Sequence, residues 1–236
     1  MRIISIDIET TGLNPNKSQI LQIGAVIFDT NTSTFQTYGT YNKVIFHKEI
    51  YGDPFAIQMN SEIIKKIALN GQRYFYLSNK IANATQQEDV KEYLKEFNEL
   101  ENIGKTINDI AFDFFNFIIT NSGYYINEKQ KREFNITGKN FWAFDNNFLE
   151  KLPNWSFFPH RRSFDPSNLY FNLTDKVLPS LTECKERCIE LLKDEEDEEV
   201  RNLFTSSVVT HDALDDAMDV AKLVWYKFYR ERKLSR

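Results

Sequence analysis

The sequence predicts an α/β fold: a mixed sheet flanked by helices. Three observations point to it. Strand-like alternation comes first, in "MRIISIDIET" and "QILQIGAVIFDT". Helical periodicity then takes over, and short strands return between helices in the second half of the chain. Strands interspersed with helices give a sheet covered on its faces. The 236 residues show no internal repeat and no linker dividing two domains. One domain over 1–236, with a helical elaboration around 71–132, is therefore expected.

Taken in order, "TTGLNPNKS" is a Gly-, Asn- and Pro-rich turn after the first strand. "STFQTYGTYNKVIF" is read as a third strand, joined to the second through Asn31, Thr32 and Ser33 as a hairpin. From "DPFAIQMNSEIIKKIALNG" the pattern is mostly helical. Ile107, Ile110, Ala111, Phe114, Phe115 and Ile118 recur at helical spacing, and Asn121 to Gly123 ends that helix. "REFNITGKN" reads as a short strand, and "FWAFDNNFLEKLP" as a helix stopped by Pro153. "RRSFDPSNLYF" is a strand and turn, and "SLTECKERCIELLKD" is a helix. The charge run Asp194–Glu199 is expected to be a solvated helix end or loop, and "THDALDDAMDVAKLVWYKFYRERK" closes the chain as a long helix.

A net charge of −5 and a pI near 5.4 exclude nucleic-acid binding by global positive charge, though not by local patches or bound cations. Cys184 and Cys188 stack on one helix face as a buried structural pair, too few for a zinc site. No apolar run is long enough for a membrane span. The first strand begins almost at Met1, leaving no room for a signal peptide, so a cytoplasmic location is expected.

The carboxylates carry the chemistry. In the first strand Ile4, Ile6 and Ile8 share one face, while Asp7 and Glu9 share the other, about 6.5 Å apart along the backbone. Two like charges on a half-buried sheet face need compensation. Asp145, with Phe141, Phe148 and Leu149 at helical spacing, lies within an apolar face. In the last helix Ala213, Ala217, Val220 and Val224 form the core stripe. At about 100° per residue, Asp212, Asp215 and Asp219 point to solvent, while Asp216 lies at the edge of the buried face. His211 precedes the helix, where a loop can turn it toward the same place. Four semi-buried carboxylates (Asp7, Glu9, Asp145, Asp216) call for divalent metal, because hard cations take oxygen ligands and a two-ion site needs several carboxylates.

"IDIETTGL", "GKNFWAFDNNFL" and "HDALDDA", in this order, resemble the three motifs of the DEDDh 3′–5′ exonucleases, and "LPSLTECKERC" resembles the family helix before the third motif. The resemblance departs at Gly138-Lys139-Asn140, where the family often has Gly-His-Asn, and in the longer span from about Gly71 to Arg132. It implies an RNase H-like fold and release of nucleoside 5′-monophosphates from the 3′ ends of single-stranded DNA or RNA. It also implies two Mg²⁺ (or Mn²⁺) ions held by Asp7, Glu9, Asp145 and Asp216, with His211 as the base that takes the proton of the attacking water. Thr10, Thr11, Gly12, Leu13, Asn140 and Phe144 would contact the terminal nucleotide, Leu13 as a wedge against a base. Lys139, Arg161, Arg162 and the tail "YKFYRERKLSR" are candidate phosphate contacts. A protein partner would belong to a replication, repair or RNA-degradation complex. Two other readings remain open: a catalytically inactive nucleic-acid-binding module of this fold, and a different metal-dependent phosphohydrolase.

Overall fold

The computed structural model describes residues 1–99, 107–123, 134–153, 155 and 159–235. Five strands form one sheet: β1 (Arg2–Thr10), β2 (Ile20–Asp29), β3 (Thr37–Val44), β4 (Phe134–Thr137) and β5 (Pro159–Phe164), in the order β3-β2-β1-β4-β5. β1, β2 and β3 pair antiparallel, whereas β4 joins β1, and β5 joins β4, in parallel. This is the mixed sheet expected. The helices are α1 (Pro54–Met59), α2 (Ser61–Asn83), α3 (Gln87–Glu99), α4 (Ile107–Ser122), α5 (Asp145–Leu149), α6 (Pro166–Leu169), α7 (Leu181–Leu192), α8 (Glu198–Arg201) and α9 (Ala213–Leu234). α2, α3 and α4 fall largely within the expected elaboration; residues 100–106 and 124–132 of that span lie outside the described residues.

Strand alternation decides what each face touches. Ile4, Ile6 and Ile8 of β1, with Ile23, Ala25 and Ile27 of β2, pack against Ile110, Phe114 and Ile118 of α4 and Phe148 and Leu149 of α5. Ile3, Val26 and Phe28 point the other way, onto Ala217, Val220 and Val224 of α9 and Cys184 and Cys188 of α7. Because both faces of the central strands are covered, β2 reads as a nearly continuous apolar run. The two cysteines are free thiols, both fully buried as expected, and burial pushes each up to about 12. Among the described residues, no helix is long and apolar enough to cross a membrane.

Two expectations about local structure need correction. Residues 141–144 are turn, not helix; α5 starts only at Asp145, because Phe144 has non-helical backbone angles (φ −125°, ψ −75°). The charge run is mostly solvated, but Glu195 is buried, accepting a hydrogen bond from the Tyr226 hydroxyl (2.9 Å) and pairing with Lys233.

Candidate active site

The α9 side of the sheet is where the acids meet. Residues 3, 5, 7 and 9 of β1 project there; Asp7 stands opposite Gly24 and Glu9 opposite Gln22 in the antiparallel register. Gly24 lets α9 start directly on the sheet: a Cβ there would come within 2.1 Å of the Ala213 backbone. Gln22, 2% exposed, pins that start. Its amide donates to Asp212 Oδ2 (2.9 Å) and to Asn42 Oδ1 (2.8 Å), and its Oε1 accepts from the Ala213 N–H (3.3 Å). Asp212 in turn caps α9, accepting from the Leu214 and Asp215 amides. Asp216 therefore sits on the first full turn, 6% exposed, above β1.

Asp145 arrives from the other side. It is 2% exposed at the first position of α5, and it accepts the Ile8 N–H at 3.2 Å, which ties α5 to β1 between Asp7 and Glu9. His211 is exposed, with a left-handed φ of 55°, and turns its ring onto the cluster. A ring nitrogen of His211, a carboxylate oxygen of Glu9 and one of Asp216 lie within 4.8 Å of one another. Asn140, with φ 58°, precedes α5 much as His211 precedes α9, so both helices carrying site acids follow a non-glycine residue in the left-handed region. Such conformations persist only where surrounding contacts hold them.

Burial and neighbouring acids raise all four carboxylates. Asp7 is held well above the usual range, first by burial and then by Asp145, Asp216 and Glu9. Burial, then Asp216, lifts Glu9 to about 8, against the opposing pull of the Asn60 amide. Asp145 rises to about 8, mainly by burial, although backbone N–H donors hold it down. Asp216 rises to about 6 by burial, moderated by His211. Asp216 Oδ1 is buried with no hydrogen-bond partner. An orphaned buried oxygen within a mutually repelling set of oxygen ligands fits a divalent cation, which satisfies the one and neutralises the other.

The remaining expected contacts divide. Thr10 and Thr11 are buried and spend their hydroxyls within the turn: Thr10 Oγ1 donates to the Gly12 carbonyl (2.8 Å), and Thr11 Oγ1 accepts the Gln19 N–H (2.8 Å). Gly12, at φ 154°, packs so closely that a Cβ would meet Ser18 Oγ at 2.7 Å. Leu13 is 83% exposed beyond this rigid turn. Asn140 is exposed, its N–H bound to Asp165 Oδ2 (2.9 Å), and Phe144 is half-buried against Phe148. Lys139 is half-buried and Arg162 exposed; the Arg161 side chain lies outside the described residues. The basic tail is not at the site. Arg232 lies roughly 24 Å along α9 from Asp216 at 1.5 Å per residue, and it donates to the Thr32 carbonyl (2.9 Å) while Lys233 pairs with Glu195.

Sequence periodicity placed Asp212 and Asp219 in solvent, and the structure does not. Asp212 is the α9 cap, and Asp219 pairs with the buried Lys185. Gln22, Gly24, Asn60 and Lys185 also shape the site, and periodicity does not single them out. Gln22 and Gly24 carried a signal, because they interrupt the otherwise apolar "ILQIGAVIF". Gly24→Ala is expected to push α9 off the sheet. Overpacking of this kind costs about 1–3 kcal/mol, and it would move Asp216 and His211 with the helix. A melting temperature and cleavage rate both equal to wild type would show that α9 has room to spare.

The fold is similar to that of E. coli Exonuclease I in complex with a dT13 oligonucleotide, with a TM-score of 0.51, 16% identity, and coverage of 99% of this chain and 42% of that one. It is also similar to a 3′-exonuclease in a structure of 3′-end specific recognition of histone mRNA stem-loop (TM-score 0.51, 13% identity, 97% of this chain and 64% of that one). A full-length 3′-exonuclease matches likewise (TM-score 0.51, 14% identity, 98% and 82%). At these identities the likeness is one of fold, and this chain spans less than half the length of Exonuclease I. No curated protein matches the chain in sequence. The model of the 3′–5′ exoribonuclease Rv2179c-like domain matches residues 2–228, and the chain belongs to that family.

Proposed function

We propose that this chain is a metal-dependent exonuclease of the DEDDh type, which removes nucleoside 5′-monophosphates one at a time from the 3′ end of single-stranded RNA. The observation that carries this is the gathering of Asp7, Glu9, Asp145 and Asp216 from β1, α5 and α9 around the second half of β1, with the His211 ring beside Glu9 and Asp216. A non-catalytic binding module has no use for such a cluster, since every raised carboxylate costs folding stability. The family's description as exoribonucleases supports RNA over DNA as the substrate.

Asp7, Glu9, Asp145 and Asp216 would hold two Mg²⁺ or Mn²⁺ ions, which when bound polarise the phosphodiester and ease deprotonation of water. Asp7, which feels all three of the other acids, would be the central member of that ligand set. His211 is the proton acceptor: it is exposed to solvent and faces the acids, and imidazole changes charge near neutral pH. Leu13, exposed on its buried turn, supplies an apolar face for the terminal base, which must be splayed from its neighbour.

The decisive assay uses RNA and DNA oligonucleotides of one sequence, labelled at either end, with Mg²⁺ or with chelator. Stepwise shortening from the 3′ end, faster on RNA and dependent on metal, is expected, with circular RNA left intact. Cutting of circles, or equal rates in chelator, contradicts the proposal.

The acids also set a stability profile. Glu9 and Asp145 near 8 and Asp216 near 6 all stand above ordinary carboxylate values of about 4. Groups raised on folding bind protons more tightly in the native state. Their favourable contribution is complete below about pH 4 and is lost as pH rises through about 8. Metal-free protein is thus expected to lose stability from these groups across that window. Mg²⁺ should raise the melting temperature more at pH 8 than at pH 5. A metal-induced shift that shrinks as pH rises would contradict the cluster as the ligand set.

A further inference from the structure

Lys185 on α7 is the one buried basic side chain among the described residues, 3% exposed. It is flanked by the buried Cys184, and its ammonium stands 5.8 Å over the Phe204 ring. A charge so placed must be paired, and Lys185 is held twice. Its ammonium donates to the Val208 carbonyl at 2.6 Å and to the carboxylate of Asp219. These two partners are informative. Val208 is three residues before His211, in the stretch that leads from α8 into α9. Asp219 is three residues after Asp216, one turn further along α9. One ammonium therefore grips the backbone behind His211 and the helix turn behind Asp216 together.

That stretch needs holding. Thr205, Ser206, Val208, Thr210 and His211 are all exposed, and His211 keeps a left-handed backbone. The Lys185 hydrogen bond ties the stretch to α7, a helix capped by a Ser180–Glu183 capping box and anchored in the core by Cys184 and Cys188. An imidazole that must meet a water within a few tenths of an ångström gains from such an anchor, because misplacement by about 1 Å can cost 10²-fold in rate.

We propose that Lys185 is a positioning residue of the reaction: through Val208 and Asp219 it fixes the His211 ring against Glu9 and Asp216. The proposal rests on the reading of His211 as the base. Lys185 hydrogen-bonds to Val208 and Asp219 and not to the four proposed ligands, so its loss is expected to act on turnover rather than on binding.

The test is a double-mutant cycle on 3′–5′ degradation of a single-stranded RNA oligonucleotide. Lys185→Met with Asp219→Asn removes both charges of the pair and leaves neither buried alone. Its kcat is expected to fall about 10–100-fold, with KM and melting temperature close to wild type. In a His211→Ala background the same two substitutions are expected to change kcat less than about twofold, because the group they position is gone. Lys185→Gln with Asp219→Asn, which replaces the ion pair by two neutral amides, carries the same expectation and serves if the Met pair does not fold. Wild-type kcat in a folded pair variant overturns the proposal, as does an equal loss with and without His211. A wild-type chain that releases no nucleotide overturns the exonuclease reading and this proposal with it. An active wild type, impaired by His211→Ala but without the coupling, overturns this proposal alone.

Discussion

Asp7→Asn is expected to abolish hydrolysis while leaving a folded, and in chelator more stable, protein. Asp7 stands at the centre of the cluster, pushed up by burial and by Asp145, Asp216 and Glu9. On the proposed mechanism, removing its charge would remove a metal ligand and with it several kcal/mol of transition-state stabilisation, about 10³-fold or more in rate. The same substitution removes a buried carboxylate that burial and the other three acids oppose. At pH 8 without metal, its melting temperature should therefore exceed that of wild type, and its response to Mg²⁺ should shrink. The paired measurement separates a ligand from a structural aspartate. A structural aspartate would lose stability on conversion to Asn and keep its metal response. Undiminished turnover in the variant would remove the metal site from the mechanism.

His211→Ala is the second large effect expected. General base catalysis is typically worth about 10²–10⁴ in rate. His211 is exposed, so its truncation is expected to leave the chain folded. Turnover should fall by that order while the melting temperature and the Mg²⁺-induced shift stay near wild type. The remaining rate of the variant should also differ from wild type in its dependence on pH, since the proton acceptor is gone. If the variant keeps wild-type turnover, or if its loss follows a fall in melting temperature, the histidine is structural and the chemistry needs another base.

Much of this was legible in the residues. The same-face pairing of Asp7 and Glu9 follows from strand alternation alone, and β1 places both on the α9 side. The choice of Asp216 as the buried aspartate of four follows from helical period. The resemblance of the three motifs to 3′–5′ exonucleases agrees with the fold and with the family to which the chain belongs. Where sequence reading failed, it lacked a partner. Asp219 looks solvated on a helical wheel because the wheel does not contain α7, whose Lys185 meets it. Asp212 looks like one more surface acid because its hydrogen bond from Gln22 joins residues 190 apart in the chain. The tail looked like a phosphate-binding strip, yet its helix carries it away from the acids.

What the sequence by itself determined is periodic and local. Alternation and helical repeat set which side chains share a face, and the order of strands and helices set an α/β sheet with covered faces, because these depend only on backbone geometry within each element. What the tertiary structure alone decided is distance between elements. Gly24 admits α9 onto β2, Gln22 fastens its first residue, and the Ile8 amide draws in Asp145. Through these contacts, acids far apart in the chain come to share one field. Repulsion among carboxylates falls off with separation and grows with burial, so its strength, and the demand for metal that follows, exists only once the sheet and its helices have closed around them.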